Sequence, residues 1–235
     1  MAMIDTTPWR MTGAPTGDNG RVTGEARRQV EAVAFDLGGV LIDWNASYLY
    51  SSLLPDDEAI AAFFAEVGFI EWNAALDAGR DWDEAVDWLG ARHPERRELI
   101  AAFRDRWEET LGQPIEPTVE ILQELRASGV RTFALSNWSR RTYDLAAPRF
   151  PFLEGFEAVV ISGDVGATKP DPRIYRELLE RGGLHPEATI FIDDSPPNVE
   201  AAIRLGLIGV LYVGPEHLRR NLGELGLPVS AGRVS

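Results

Sequence analysis

Five short and almost uninterrupted apolar runs constrain the fold of this chain more than any other feature. They lie at 32–35, 131–135, 158–161, 188–192 and 207–213. An apolar run without polar alternation is typical of a parallel strand buried on both faces. Helix-like segments lie between the runs, at 118–128, 171–181 and 198–205. Alternating strands and helices predict an α/β fold with a doubly wound parallel sheet and helices on both faces.

One connection interrupts this alternation, between the first apolar run and the second. It contains no strand-like run but has three amphipathic, helix-like segments, at 56–67, 81–90 and 94–111. A connection of this length predicts a subdomain and not a loop. We therefore predict a helical cap over residues 44–115, inserted after the first strand above the sheet edge where ligands bind.

The rest of the chain divides around this cap. Residues 30–43 and 116–235 are predicted to form the α/β core. Residues 1–29 are polar and rich in Gly, Pro and Thr without periodicity, which predicts a disordered tail.

Composition excludes several classes of function. The chain has no cysteine, and its three histidines lie far apart, which argues against thiolate or histidine metal sites. A formal net charge of −14 without a basic stripe argues against nucleic-acid binding. No run approaches the roughly 20 apolar residues of a membrane span, and no signal-like segment begins the chain. These absences predict a cytoplasmic protein without membrane partners, and they leave monomer and homodimer open.

Four polar groups stand at or just after the ends of predicted strands. They are Asp36, Ser136-Asn137, Lys169 and Asp193-Asp194. Each alone has an ordinary structural explanation, as a turn, a helix cap or a surface lysine. Together they bring a carboxylate, a hydroxyl, an ammonium and a carboxylate pair to one sheet edge. This set is typical of phosphoryl transfer, and adjacent carboxylates favour Mg²⁺.

The segments around these groups resemble the haloacid dehalogenase superfamily of aspartate-nucleophile hydrolases, in its phosphatase-like, helical-cap branch. The matching segments occur in the family's order: Phe-Asp-Leu-Gly-Gly-Val-Leu at 35–41, Leu-Ser-Asn-Trp at 135–138, Lys-Pro-Asp-Pro-Arg-Ile-Tyr at 169–175 and Phe-Ile-Asp-Asp-Ser-Pro-Pro-Asn-Val-Glu-Ala-Ala at 191–202. Four motifs in register are far more specific than any one of them. The resemblance implies a Mg²⁺-dependent phosphomonoester hydrolase that acts on a small phosphorylated metabolite.

The resemblance also implies catalytic roles. Asp36 would attack phosphorus and form an aspartyl-phosphate. Ser136 would bind a phosphoryl oxygen, Asn137 would orient the site, and Lys169 would neutralise Asp36 and the phosphate. All three would thus contact the substrate.

The same resemblance implies a metal site. Asp194 would bind Mg²⁺ directly with Asp193 beside it, while Asp36 and the backbone carbonyl of Gly38 would complete the protein ligands. Asn198 falls where the family often has a polar residue that braces this loop.

Gly38 departs from the family pattern, because phosphatases of this family usually have an acid/base aspartate two places after the nucleophile. Three alternatives follow. A phosphatase would recruit a cap residue or a water in its place. A 2-haloacid dehalogenase needs no acid, but its last motif resembles Ser-Ser-Asn and not Asp193-Asp194. A weakly active or inactive protein would use the cap to bind a ligand or a partner.

Tryptophans in and near the cap suggest how the substrate is held. Trp44, Trp72 and Trp138 are predicted to line the pocket, which would suit a sugar or a flat ring. Most of the other cap tryptophans are predicted to pack in the core, which is the usual place of aromatic residues at helical spacing.

Overall fold

The fold is given by a computed structural model that describes residues 29–230. Over this range the strands are β1 Ala32–Phe35, β2 Ile42–Trp44, β3 Leu111–Pro114, β4 Arg131–Ser136, β5 Ala158–Ile161, β6 Thr189–Asp193 and β7 Ile208–Leu211. The helices are α1 Ala46–Tyr50, α2 Asp57–Val67, α3 Phe69–Asp77, α4 Trp82–Arg92, α5 Arg97–Asp105, α6 Glu116–Ala127, α7 Arg140–Ala146, α8 Ser162–Val165, α9 Pro172–Gly182, α10 Pro196–Arg204 and α11 Pro215–Glu224. The tail predicted for residues 1–29 lies outside the described residues except for its last position.

Five strands form one parallel sheet in the order β5-β4-β1-β6-β7. Alternate residues of β1 face opposite sides of this sheet, as the two-residue repeat of a strand requires. Ala32 and Ala34 pack on one face in a cluster that includes residues of α9 and α10. Val33 and Phe35 pack on the other face in a cluster that includes residues of α6 and α11. The prediction of a doubly wound α/β fold is confirmed.

The central position of β1 determines which polar groups become neighbours. Phe35 pairs with Ala134 of β4 on one side and with Ile192 of β6 on the other. The backbone N–H of Asp36 continues the ladder and donates to the carbonyl of Ile192 at 2.9 Å. Because the three strands are parallel, the residues that end them lie side by side at one edge of the sheet.

Helices α1–α5 form the insert that follows β1, so the predicted helical insertion is confirmed. Its interior is an aromatic cluster in which Tyr50 and Phe63, and likewise Phe69 and Phe103, have ring centroids 5.0 Å apart. Trp72 packs against Phe103 at 5.5 Å in the same cluster. Tilted and edge-on contacts of this kind give the cap a hydrophobic interior of its own.

The direction of α3 depends on Gly68. This residue adopts a left-handed conformation, with φ 63° and ψ 46°, and it ends α2 and begins α3. Such a conformation favours glycine because a Cβ would be strained there.

The helices α2 and α3 meet at an angle of 68°. No single helix among the described residues is long and apolar enough to span a membrane, and this bent pair passes that test only when its two helices are taken together.

Parts of the insert differ from the sequence prediction. The prediction of one continuous helix at 94–111 was wrong. A 3-10 turn at Pro94–Arg96 precedes α5, and a second 3-10 turn at Trp107–Thr110 follows it. Pro94 favours the first turn of a helix, and Arg106 leaves helical geometry at φ −130°. The insert was also predicted to have no strands, but β2 and β3 form an antiparallel ribbon. With three and four residues, these strands are too short to give a periodic signal.

Candidate active site

A cavity of about 380 Å³ lies between the carboxyl edge of the sheet and the cap. From the sheet side its lining residues are Asp36, Gly38, Gly39, Ser136, Asn137, Trp138, Lys169, Asp194 and Asn198. From β2 and the cap its lining residues are Trp44, Asn73, Asp77 and Trp107. The volume suits a small molecule and not a polymer.

Asp36 is buried at the floor of this cavity, and three donors reach its Oδ1 atom. The Ser136 hydroxyl donates at 2.7 Å, the Leu37 backbone N–H donates at 2.7 Å, and the Lys169 ammonium lies at 2.9 Å. Oδ2 receives none of these three contacts, so its lone pairs stay available for attack. Burial raises the pKa of Asp36 to about 7, although Lys169 opposes the shift. A carboxylate that is oriented yet poorly solvated is a plausible nucleophile.

Lys169 joins Asp36 to Asp193, and its side chain is only 1% exposed. The ammonium donates to Asp193 Oδ2 at 2.6 Å and to the Leu135 carbonyl at 3.0 Å, besides its contact with Asp36. All three ammonium protons therefore have partners. Burial alone would lower the pKa of Lys169, but the two carboxylates outweigh it and raise the pKa. The lysine stays charged between them.

The Asn137 side chain holds Lys169 in place from the neighbouring strand end. Its Oδ1 accepts the Lys169 backbone N–H at 2.7 Å, and its Nδ2 donates to the Lys169 carbonyl at 3.1 Å. The amide thus forms a two-point clamp on the lysine backbone. This arrangement makes Asn137 a positioning residue that also lines the cavity.

The two adjacent aspartates differ in environment. Asp193 is fully buried, and its carboxylate accepts bonds from the Ser195 backbone N–H at 2.8 Å and from Asn198 Nδ2 at 3.0 and 3.2 Å, besides Lys169. Asp194 is exposed to the cavity. Partial burial and the Asp193 carboxylate raise the pKa of Asp194. Asp193 therefore fixes Lys169 and the loop, and Asp194 is the carboxylate available for a ligand.

The acidic residues fit a hard divalent cation. Carboxylate oxygens of Asp36, Asp193 and Asp194 lie within 4.8 Å of one another. The ammonium of Lys169 neutralises one of the three negative charges. The two that remain match the double positive charge of one Mg²⁺. Oxygen donors in a compact cluster are the ligands that Mg²⁺ prefers. At Gly39, with φ 75°, a Cβ would overlap Asp194 Oδ2, so the loop needs glycine to bring this carboxylate close.

We expect Mg²⁺ to stabilise the wild-type protein, and Asp194→Asn to weaken Mg²⁺ affinity by at least about tenfold, because a ligand carboxylate is lost. Calorimetric titration and thermal unfolding with Mg²⁺ or a chelator measure both effects. The control is Glu58→Gln, which removes an exposed carboxylate on α2. Equal Mg²⁺ affinity in wild type and Asp194→Asn would contradict the assignment.

The structure places two of the three predicted pocket tryptophans in the cavity and not the third. Trp44 and Trp138 line it. Trp72 does not, because it is 4% exposed inside the cap and its indole N–H donates to the Ala85 carbonyl at 3.1 Å. Trp107, which was not among the predicted pocket residues, lines the cavity and meets Trp138 edge-on at 5.8 Å.

Two polar cavity residues were not predicted, Asn73 and Asp77. They stand four positions apart on α3, so they share one face of the helix. The buried residues Phe69, Trp72 and Leu76 face the cap interior. A polar pair beside that apolar stripe was the available signal, but the sequence does not show that this face meets the cavity.

Comparison with known proteins identifies the family. The profile of the haloacid dehalogenase-like hydrolases matches residues 30–206, which is well over half of the chain. This range contains all of the strand-end groups described above.

Individual relatives agree with that match. Flavin mononucleotide hydrolase 1 of Arabidopsis thaliana is 31% identical over 115 residues, which span 49% of this chain and 46% of that protein, less than half of its length. Phosphoserine phosphatase of Thermus thermophilus is 30% identical over 191 residues, covering 80% of this chain and 74% of that protein. A haloacid dehalogenase-family enzyme of Bacteroides thetaiotaomicron, solved with magnesium and inorganic phosphate, has TM-score 0.58 and 23% identity, covering 77% and 93% of the two chains.

Proposed function

The chain belongs to the haloacid dehalogenase-like hydrolases, and from this premise we propose that it is a Mg²⁺-dependent phosphomonoester hydrolase. The observation that carries the proposal is the ammonium of Lys169 held between Asp36 and Asp193 beside the acidic cluster. This arrangement orients a carboxylate nucleophile and offers positive charge to a phosphoryl group. The magnesium and phosphate of the Bacteroides neighbour and the phosphatase activity named for the Thermus relative support it.

Each residue at the floor of the cavity has its own role in the proposed hydrolysis. Asp36 attacks phosphorus and carries the phosphoryl group as an acyl phosphate, which water then hydrolyses. Ser136 and Lys169, which contact Asp36 Oδ1, orient the nucleophile and meet the phosphoryl oxygens. Mg²⁺, when bound by Asp36, Asp194 and the Gly38 carbonyl, would neutralise charge on the phosphoryl oxygens.

The cavity favours a small substrate with a ring. Trp44, Trp107 and Trp138 provide an aromatic wall beside the polar floor. Such a wall suits the face of a sugar or of a planar ring, while the floor holds the phosphate. We therefore propose a small phosphorylated metabolite of this kind as the substrate.

A screen of sugar phosphates, nucleotides and 4-nitrophenyl phosphate, with Mg²⁺ or with a chelator, tests the proposal. We expect Mg²⁺-dependent phosphate release that the chelator abolishes, because the phosphoryl charge would then lack its counterion. Halide release from 2-haloacids that is insensitive to the chelator would instead indicate a dehalogenase. Ligand-dependent thermal stabilisation without either reaction would indicate a binding protein.

A further inference from the structure

The proposed chemistry lacks one group on the sheet side of the cavity. A leaving alkoxide needs a proton, and the hydrolytic water must lose one. Gly38 has no side chain to do this, and Ser136 and Lys169 already donate to carboxylates. An acid/base for these steps must come from another element.

Asp77 is a carboxyl group on the cap side of the same cavity. It is the last residue of α3 and lines the cavity together with Asn73. Asn73 Nδ2 donates to Asp77 Oδ2 at 3.0 Å, which orients the carboxyl group. Oδ2 therefore accepts a bond from within α3, and Oδ1 is left to exchange a proton.

The backbone at Asp77 is tied to the core, so this part of the cap is not a free surface. The Ser162 hydroxyl, at the start of α8 directly after β5, donates to the Asp77 carbonyl at 2.6 Å. Two residues later, a Cβ at Gly79 would come within 3.1 Å of the Gly163 carbonyl, a close backbone approach that needs glycine. The sheet edge thus fixes Asp77 relative to the nucleophile.

The surroundings of Asp77 favour its protonated form. Burial raises the pKa of Asp77 well above its usual range, against the Asn73 hydrogen bond, and the charge of Asp36 raises it further. The negative end of the α3 dipole acts in the same direction. An undissociated carboxyl group can donate a proton at neutral pH.

We propose that Asp77 is the catalytic acid and base of this enzyme, an inference that rests on the phosphatase function proposed above. In the first step Asp36 forms a bond to phosphorus, the bond to the leaving oxygen breaks, and that oxygen takes both the electron pair and the Asp77 proton. In the second step water attacks phosphorus and gives a proton to Asp77, while the aspartyl–phosphorus bond breaks. The products are alcohol and inorganic phosphate, and both carboxyl groups return to their starting states.

Kinetics of Asp77→Asn with two substrates test this role. Benzyl phosphate has a poor leaving group, and its turnover should fall about 10²–10⁴-fold, the usual contribution of a general acid. 4-Nitrophenyl phosphate needs no acid to leave, so one nitrophenol per enzyme should appear in a burst at the wild-type rate. Slow turnover should follow, because the aspartyl-phosphate then lacks its base. A purely structural role would slow the first alcohol release from both substrates alike and give no burst.

Two further variants make the test specific. Glu71→Gln removes an exposed carboxylate from the same helix and should leave both rates unchanged. Gly38→Asp in the Asp77→Asn background should recover benzyl phosphate turnover at least about tenfold, because it supplies an acid from the sheet side. A Cβ at Gly38 would lie 3.7 Å from Trp44 Cβ and 3.9 Å from Trp138 Nε1, so there is room.

The outcomes separate this inference from the function on which it rests. Equal slowing of the first alcohol release from both substrates without a nitrophenol burst, or no recovery with Gly38→Asp, overturns the role of Asp77 while Mg²⁺-dependent turnover persists. If wild type releases no phosphate from 4-nitrophenyl phosphate with Mg²⁺, and Asp36→Asn changes nothing, the phosphatase function fails and the role of Asp77 with it.

Discussion

Asp36→Asn is expected to reduce phosphate release by at least about 10⁴-fold, because an amide oxygen cannot form the acyl phosphate that we propose as the intermediate. The substitution keeps the size and shape of the side chain. Its Oδ1 can still accept from Ser136 and Leu37, so the floor of the cavity should persist. The loss should appear with both 4-nitrophenyl and benzyl phosphates, since both reactions need the same nucleophile.

The measurement pairs steady-state phosphate release with acid quenching of enzyme mixed with radiolabelled phosphate ester. Wild-type protein should retain label as acyl phosphate, and Asp36→Asn should retain none. The control is Asp164→Asn, which removes an exposed carboxylate from α8 at the same sheet edge, paired with Arg140 and outside the cavity. Comparable labelling of Asp36→Asn and wild type would reject Asp36 as nucleophile.

Folding of Asp36→Asn is measured separately, so that inactivity is not confused with unfolding. Burial raises the pKa of Asp36, which means that its charged form is destabilising in this environment. Removing that charge should leave the free energy of unfolding in chelator no lower than that of wild type. If the variant is partly unfolded, gel filtration isolates its folded fraction, and the labelling experiment is then done on that fraction.

The sheet and the polar groups on its edge were predictable because one physical rule governs both. Strands buried on two faces must be apolar throughout, so β1 and β5 were predicted with the bounds that the structure gives. In a parallel sheet with β1 at its centre, the shared strand direction then brings Asp36 and Ser136 to one edge. Their distance in sequence is 100 residues, yet their contact follows from strand order.

The cap was harder to predict because its helices carry the same amphipathic signal whichever way they dock. Trp72 and Asn73 are adjacent in sequence, but one turns into the aromatic interior and the other lines the cavity. A rotation of about 100° per residue separates them, and the packing of α3 within the cap and on Ser162 decides which of them faces the cavity. Trp107 shows the same limit, since it is buried and lines the cavity at once.

Lys169→Met should destabilise the protein and inactivate it, because Met keeps most of the unbranched apolar side chain but none of the three contacts of the ammonium group. Breaking a buried ion pair typically costs about 3–5 kcal/mol. Here Asp36 and Asp193 would both lose their cation. Urea unfolding in chelator should show a lower midpoint with an unchanged slope, which separates lost stability from changed compactness.

The matched control is the double variant Lys169→Met/Asp193→Asn, which removes one of the two buried carboxylates that Lys169→Met leaves without a cation. It should regain part of the stability without regaining activity, because Asp36 and the phosphate still lack the ammonium. Stability equal to wild type in Lys169→Met alone would contradict the role of Lys169 as the charge that holds the site together.

The stability deficit of Lys169→Met should also grow with pH, and the sign follows from the carboxylates left behind. Burial already raises the pKa of Asp36 to about 7 against the pull of Lys169. Without that pull the folded-state pKa rises further above the unfolded value, so the native state binds more protons than the unfolded chain. Stability then falls as pH rises through neutrality, and the deficit should be smaller at about pH 6 than at about pH 8.5. A deficit that is independent of pH would assign the loss to packing and not to charge.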